Sequence, residues 1–142
     1  MNQTIDLELT ATPPSDAVAR IGERLDDFNI EVTGITDRLP LAVLVRARRD
    51  GPVLGGLSGR TSLGLLFIDL FYLPPDLRGA GLGRRVLQMA EDEARRRGCR
   101  NAVLYTISFQ APDFYQRLGW TVFGRVPCDP PGTSRIFLSK SL

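Results

Sequence analysis

The 142-residue sequence contains no histidine, only two cysteines, Cys99 and Cys128, and no long hydrophobic run. Without histidine and without a CxxC spacing, most zinc sets and Cys-His schemes are excluded, and no metal site is expected. Cys128 has no histidine to activate it and reads as a plain small residue rather than an acyl relay. The longest apolar stretch is interrupted by Asp69 and is too short to span a bilayer, while Met1 to Thr10 carries Asp6 and Glu8 and no apolar signal-peptide core. A cytoplasmic protein making no membrane contact is expected. The net charge of +2 is too small to argue for a nucleic-acid partner. Repeats, low-complexity tracts and interdomain linkers are also missing, so residues 1–142 are expected to form a single domain, long enough to bury a core that sustains a pocket.

What the chain does have is glycine at one critical place. Arg78-Gly79-Ala80-Gly81-Leu82-Gly83 follows the apolar run Leu63 to Leu73 and precedes a strong helical pattern. Backbone N–H groups at a strand-to-helix turn form an anion cradle, and glycine lets a phosphate-bearing ligand approach the main chain closely. The sequence therefore predicts a pyrophosphate site. A dinucleotide fingerprint would need a third glycine where Arg84 or Val86 stands, and a Walker loop would need a lysine that is absent nearby. Arginines cluster around the same loop, at 78, 84, 85, 95, 96, 97 and 100, a distribution suited to a polyanionic small ligand.

The periodicities place this loop in a frame. Thr4 to Thr10 alternates as a half-buried first strand, ended by Pro13 and Pro14. Ser15 or Asp16 is expected to cap a helix with Val18, Ile21, Leu25 and Phe28 on one face, fraying toward Gly34. Leu41 to Arg46 and Val53 to Ser62 read as a hairpin around Arg49-Asp50-Gly51-Pro52. Gly64 to Leu73 is apolar on both faces apart from Asp69, as for a central strand covered on two sides. After the loop, Val86, Leu87, Ala90 and Ala94 line a helix face, with Glu91, Asp92 and Glu93 expected to turn largely outward and Gly98 as the stop. Val103 to Ile107 is a strand, Pro112 to Leu118 a short helix, and Thr121 to Val126 with Ser134 to Leu138 a last strand pair across Asp129-Pro130-Pro131-Gly132. The order β-α-β-β-β-α-β-α-β-β is that of a mixed α/β sheet.

Two motifs in this frame resemble the GNAT N-acetyltransferase superfamily. The first is [Q/R]-x-x-G-x-[G/A], present as Arg78, Gly81 and Gly83. The second is a strand, a short helix with Ala-x-x-x-Tyr and a Leu-Gly-aromatic step, present as Val103 to Phe109, Ala111 to Tyr115 and Leu118-Gly119-Trp120. Together they span roughly residues 63 to 127. The resemblance implies a mixed, mostly antiparallel, twisted sheet flanked by helices, and acetyl-CoA as acyl donor. Its pyrophosphate would lie on the amides of Gly79, Ala80, Gly81, Leu82, Gly83 and Arg84 behind Arg78, with Arg84 or Arg85 toward a further phosphate. The main chain of Phe71, Tyr72 and Leu73 would pair with the pantetheine arm like an added strand. Tyr115 would be the general acid that meets the departing thiolate. Ser108 stands where the family commonly has a coenzyme-binding asparagine and keeps one hydroxyl for that contact.

The general base is not fixed by either motif. Asp69 lies within an apolar strand, where an unpaired carboxylate would cost several kcal/mol, so it is a candidate base or anchor for a cationic acceptor, alongside a structural pairing role. Glu31, Asp37 and Asp129 are alternatives. The expected activity is transfer of an acetyl group to a primary amine by direct attack in a ternary complex. The competing readings are a non-catalytic acyl-CoA-binding module and, less consistent with the loop register, a nucleotide binder. The implied partners are acetyl-CoA and an amine-bearing acceptor, with a homodimer admitted. No motif identifies the acceptor.

Overall fold

Residues 3–142 are described by the structure, a computed structural model, in which backbone contacts divide the chain into two units, Met1–Thr36 and Asp37–Leu142. In the first unit, residues 3–14 form no strand, contrary to the alternation of Thr4 to Thr10. Alternating polarity only permits a strand; a ladder partner makes one, and the described residues of this unit include no other extended segment to supply it. Helix α1 runs from Ser15 to Thr33 with Pro14 as its N-cap, and the Pro14 carbonyl accepts the Ala17 N–H at 3.0 Å. Ser15 and Asp16 are thus the first helical residues and not the cap. Gly34, at φ 70°, ends the helix by donating its N–H to Ile30 O at 2.7 Å.

The second unit is built on a six-stranded sheet. Its strands are β1 (Leu39–Arg46), β2 (Val53–Ser62), β3 (Leu65–Tyr72), β4 (Asn101–Ile107), β5 (Thr121–Cys128) and β6 (Thr133–Ser141), in spatial order β1-β2-β3-β4-β6-β5. Every pairing is antiparallel except β3 with β4. That one parallel step requires a crossover, supplied by helix α2 (Leu82–Arg96). A 3-10 turn, Pro75–Leu77, precedes α2, and the short helix α3 (Pro112–Arg117) follows β4. The mixed, mostly antiparallel sheet is the architecture expected from the motifs.

Helix α2 lies against β1, β2 and β3. Its Val86, Leu87, Ala90 and Ala94 join Leu41, Leu57, Leu66, Ile68, Ala102, Leu104, Ile136 and Leu138 in one buried core. Each fully buried Leu or Ile there contributes about 1.5–3 kcal/mol by area removed from water. At the helix end, Arg97 donates to Pro40 O and Thr61 Oγ1, both at 3.0 Å, and ties α2 to β1 and β2. Arg96 and Arg97 both hydrogen-bond Glu93 and hold its carboxyl down at about 2. Glu91 departs from the expected outward orientation: it is only 2% exposed, with Lys140 Nζ 2.7 Å and Arg95 3.6 Å from Oε1. A carboxylate on the inner half of α2 is tolerable because β6 carries an ammonium to meet it. That ammonium directs an aligned hydrogen bond to Leu118 O at 2.7 Å, which also links β6 to the end of α3.

Strand β3 also departs from expectation. Its burial alternates as far as Ile68 and then stops, with Asp69 and Leu70 both exposed. A bulge is responsible: Gly59 pairs with Ile68 but Ser58 with Leu70, which leaves Asp69 without a cross-strand partner. The extra residue resets the side-chain parity, so Ile68 and Phe71 turn to the same side of the sheet. The apolar residues on either side of Asp69 reflect that reset rather than cover on both faces.

Candidate active site

The parallel ladder of β3 and β4 extends only from Leu65↔Asn101 to Ile68↔Leu104. Beyond it the strands part into a fork, and the side of Asp69 to Tyr72 that would face β4 has no ladder partner. Phe71 turns into this fork edge-on to Phe114 and Tyr115, with ring centroids 6.1 and 6.2 Å away. A cavity of about 460 Å³ opens there, lined by Phe71, Tyr72, Leu73, Arg78, Gly79, Gly83 and, from across the fork, Thr106, Phe109, Gln110, Ala111, Phe114 and Tyr115.

The glycine loop forms the outer wall of this cavity. Gly79 and Gly81 adopt φ +87° and +83°, a region that L side chains rarely enter, and Gly81 is the N-cap of α2. The first helical bond runs from Arg85 N–H to Gly81 O at 3.1 Å. Among the described residues, the amides from Gly79 to Arg84 have no backbone acceptor, so a run of donors stays open at the positive end of the helix dipole. Arg78 folds back, its Nε donating to Leu73 O at 2.8 Å and its guanidinium lying 5.8 Å from the Tyr72 ring centroid. Gly83 is needed for a different reason: a Cβ there would meet Phe114 at 3.3 Å and Leu73 at 3.4 Å.

Tyr115 sits at the back of the fork, 9% exposed and packed by Phe71, Phe114 and Trp120. Burial disfavours its phenolate and pushes the hydroxyl up to about 12. A second cavity, about 220 Å³, is lined by Ile68, Asp69, Leu70, Leu104, Tyr105, Ile107 and Arg135 together with Phe71, Thr106, Gln110 and Tyr115. These last four residues line both cavities.

The expected site residues divide accordingly. Phe71, Tyr72, Leu73, Arg78, Gly79, Gly83 and Tyr115 line the larger cavity, and Ala80, Gly81 and Leu82 shape the turn beside it. Arg84 lies elsewhere, in a groove of about 260 Å³ with Gln88, Arg117 and Lys140. Ser108 is turned away from both cavities: its hydroxyl oxygen accepts the Ser134 N–H at 3.0 Å and its own N–H donates to Ser134 O at 2.9 Å, a clasp between the ends of β4 and β6. Asp69 lines the smaller cavity but is not buried. Its side chain is 52% exposed, and both oxygens accept from Arg60 Nη1, at 2.9 and 3.0 Å. The bulge accounts for this, since it turns Asp69 away from the core.

Gln110 belongs to the site although no motif marks it. Its Oε1 accepts two hydrogen bonds, from Ile107 N–H at 3.0 Å and Thr106 Oγ1 at 3.1 Å. The side chain is thereby fixed, and its NH₂ has no partner among the described residues. A sequence signal did exist, two residues beyond the expected polar position at Ser108, but only the turn after β4 gives it meaning.

Comparison with known proteins decides the family. The model of the acetyltransferase (GNAT) family matches residues 5–120. The chain belongs to that family. It is 34% identical to acetyltransferase Atu2258 of Agrobacterium fabrum over 132 residues, covering 93% of this chain and 96% of the relative. It is 41% identical to the blasticidin-S acetyltransferase of Streptomyces morookaense over 93 residues, 65% of this chain and 68% of the relative. A crystal structure assigned as an acetyltransferase from Agrobacterium tumefaciens superimposes with a TM-score of 0.87 at 33% identity, covering 97% of this chain and all of that one. In this GNAT protein the family's two motifs thus converge on one fork. Among the described residues no helix is long and apolar enough to cross a membrane.

Proposed function

We propose that this protein is an N-acetyltransferase that moves an acetyl group from acetyl-CoA to a primary amine by direct attack in a ternary complex. The observation that carries the reading is the meeting of two cavities at Phe71, Thr106, Gln110 and Tyr115. One cavity has the open amides for a pyrophosphate and the unpaired edge of β3 for a pantetheine arm. The other meets it at those four residues, where an attacking amine could reach the thioester.

In this reading the amine nitrogen forms a bond to the thioester carbon, the carbon–sulfur bond breaks, the nitrogen gives up one proton, and the sulfur leaves as a thiolate that is protonated from solvent. Negative charge develops first on the thioester oxygen and then on sulfur. The junction offers one donor for each: the Gln110 NH₂, fixed by its two accepted bonds, toward the oxygen, and the Tyr115 hydroxyl toward the sulfur. A phenol at about 12 is a weaker acid than a thiol near roughly 8.5. Tyr115 therefore stabilises the departing thiolate as a hydrogen-bond donor and keeps its own proton. Asp69, held against Arg60, accepts the amine proton directly or through water and returns it to solvent. The coenzyme contact resembling the family's asparagine passes from Ser108 to Gln110, because the Ser108 oxygen is engaged by Ser134.

The test combines binding and turnover. Acetyl-CoA should raise the thermal midpoint, and an amine panel should release free thiol. Binding without thiol release from any amine would leave a non-catalytic acyl-CoA-binding module, and no binding would remove the proposal entirely. Gln110→Glu keeps the oxygen that accepts from Ile107 and Thr106 but loses the NH₂ donor. Turnover should fall roughly a hundredfold, the scale of losing one oxyanion donor, with the fold intact. Unchanged turnover would take Gln110 out of the mechanism.

A further inference from the structure

The smaller cavity contains two charged residues, Asp69 and Arg135, and they differ in electrostatic state. Asp69 is already matched, with both of its oxygens accepting from Arg60. Arg135 forms no ion pair and no side-chain hydrogen bond among the described residues. Its guanidinium carbon lies 5.7 Å from the ring centroid of Tyr105, another cavity residue. Its backbone is held on both sides, opposite Ile107 of β4 and Val126 of β5, so the guanidinium projects from an interior strand rather than a mobile edge. With Asp69 neutralised, the described residues of this cavity carry one unanswered positive charge.

A guanidinium so placed disfavours a second cation and contributes nothing to binding a neutral amine. It does match a planar oxyanion, through two parallel N–H donors. Resting on the reading of this cavity as the acceptor side, we propose that the acceptor carries a carboxylate in addition to its amine, and that Arg135 is the residue that selects it. One guanidinium suits a monoanionic carboxylate better than a phosphate dianion, for which the described residues of the cavity offer no second free cation. The aromatic series from Tyr105 to Phe137 to Phe123, with centroids 5.8 and 6.2 Å apart, continues from the cavity and favours an acceptor with an aromatic body. The predicted class is an aromatic amino acid or a compound carrying that group.

The experiment uses matched probes that differ only in the carboxylate: phenylalanine against 2-phenylethylamine, and tryptophan against tryptamine. Binding to the coenzyme-A-loaded protein is followed by saturation-transfer NMR and turnover by thiol release. The carboxylated member of each pair should bind about tenfold more tightly, the scale of one charge-assisted bidentate contact, and should show a correspondingly lower KM. In Arg135→Gln the ratio within each pair should fall to about one, and Arg135→Lys should restore part of it. Equal binding within the pairs in the wild type, or a preference that survives Arg135→Gln, overturns the proposal even if every amine is acetylated. An Arg135-dependent preference without acetylation would uphold it and defeat the acetyltransferase reading instead.

Discussion

On the proposed coenzyme side of the fork the groups on offer are main-chain: the amides from Gly79 to Arg84, unpartnered among the described residues, and the edge of β3 beyond Ile68. On the other side they are side chains from three strands, Asp69 on β3, Tyr105 on β4 and Arg135 on β6. Main-chain recognition needs a fixed backbone path, and that path needs glycine at the few positions where φ is positive. Side-chain recognition needs only a scaffold and leaves residue type free. The first half of the site is therefore tied to a contiguous motif, while the second can change its partner through single substitutions without disturbing the first.

The largest expected effect breaks the main-chain half. Gly81→Val places a β-branched residue at φ +83°, where only glycine rests without strain, at the turn that aims the amides. The Cβ itself would meet no atom within 4 Å, so the damage is to the path of the loop and to ligand approach, not to the core. Acetyl-CoA affinity measured by calorimetry should fall by roughly a hundredfold or more. The ligand-induced stabilisation, about 2.7 kcal/mol at a hundred times Kd, should shrink to about 0.4 kcal/mol or less at the same concentration.

Next in size is Tyr115→Phe, which removes the donor at the junction but keeps the ring contacts with Phe71, Phe114 and Trp120. Turnover should drop roughly ten- to a thousandfold, with coenzyme binding retained. The pH dependence sharpens this. With its hydroxyl raised to about 12, Tyr115 stays protonated through the assay range, so the rate should climb as the amine deprotonates and show no descending limb from Tyr115 below pH 10. For stability the sign is the same as for any acid whose charged form is buried. The contribution is present below the unfolded value near roughly 10 and is lost as pH rises toward 12. A descending limb near neutral pH that Tyr115→Phe abolishes would contradict this.

How legible each half was in the sequence follows from the same contrast. The glycine loop, α2 and the turn into α3 could be read because backbone geometry restricts residue choice locally, and the matching elements formed where the pattern put them. Residues 4–10 misled because alternation cannot reveal whether a pairing partner exists. Glu91 misled because its partner, Lys140, is distant in sequence, and Asp69 because a one-residue bulge inverts the meaning of every apolar position after it. Gln110 and Arg135 left no trace in the motifs, since each acquires its setting from neighbours that only the folded sheet assembles.

Asp69→Asn tests the side-chain half. A carboxylate buried on both faces would have made its loss severe, but the pair with Arg60 is half in solvent, and such pairs contribute roughly 0–1 kcal/mol. The thermal midpoint should therefore hardly move. If Asp69 accepts the amine proton, turnover should fall about tenfold or more while acetyl-CoA binds as before. An unaltered rate would assign proton removal to water and leave Asp69 as the counter-ion of Arg60 alone.

The smallest effect concerns a strained residue in the wall of the larger cavity. Both α2 and α3 start after a residue at positive φ, but at α3 that residue is Ala111, at φ 98°, in the wall of the larger cavity. An alanine held there is strained by about 1–2 kcal/mol, and glycine would relieve it. Glycine also widens the unfolded ensemble, at about 0.4–1 kcal/mol. Ala111→Gly should therefore stabilise the fold by about 1 kcal/mol or less, seen as a small rise in the denaturation midpoint. It should also loosen the approach of Phe114 and Tyr115 to the fork, so a modest fall in turnover is expected alongside the gain. If stability dropped instead, the Ala111 methyl would be contributing packing that exceeds the strain, and its conformation would be a feature of the core rather than of the site.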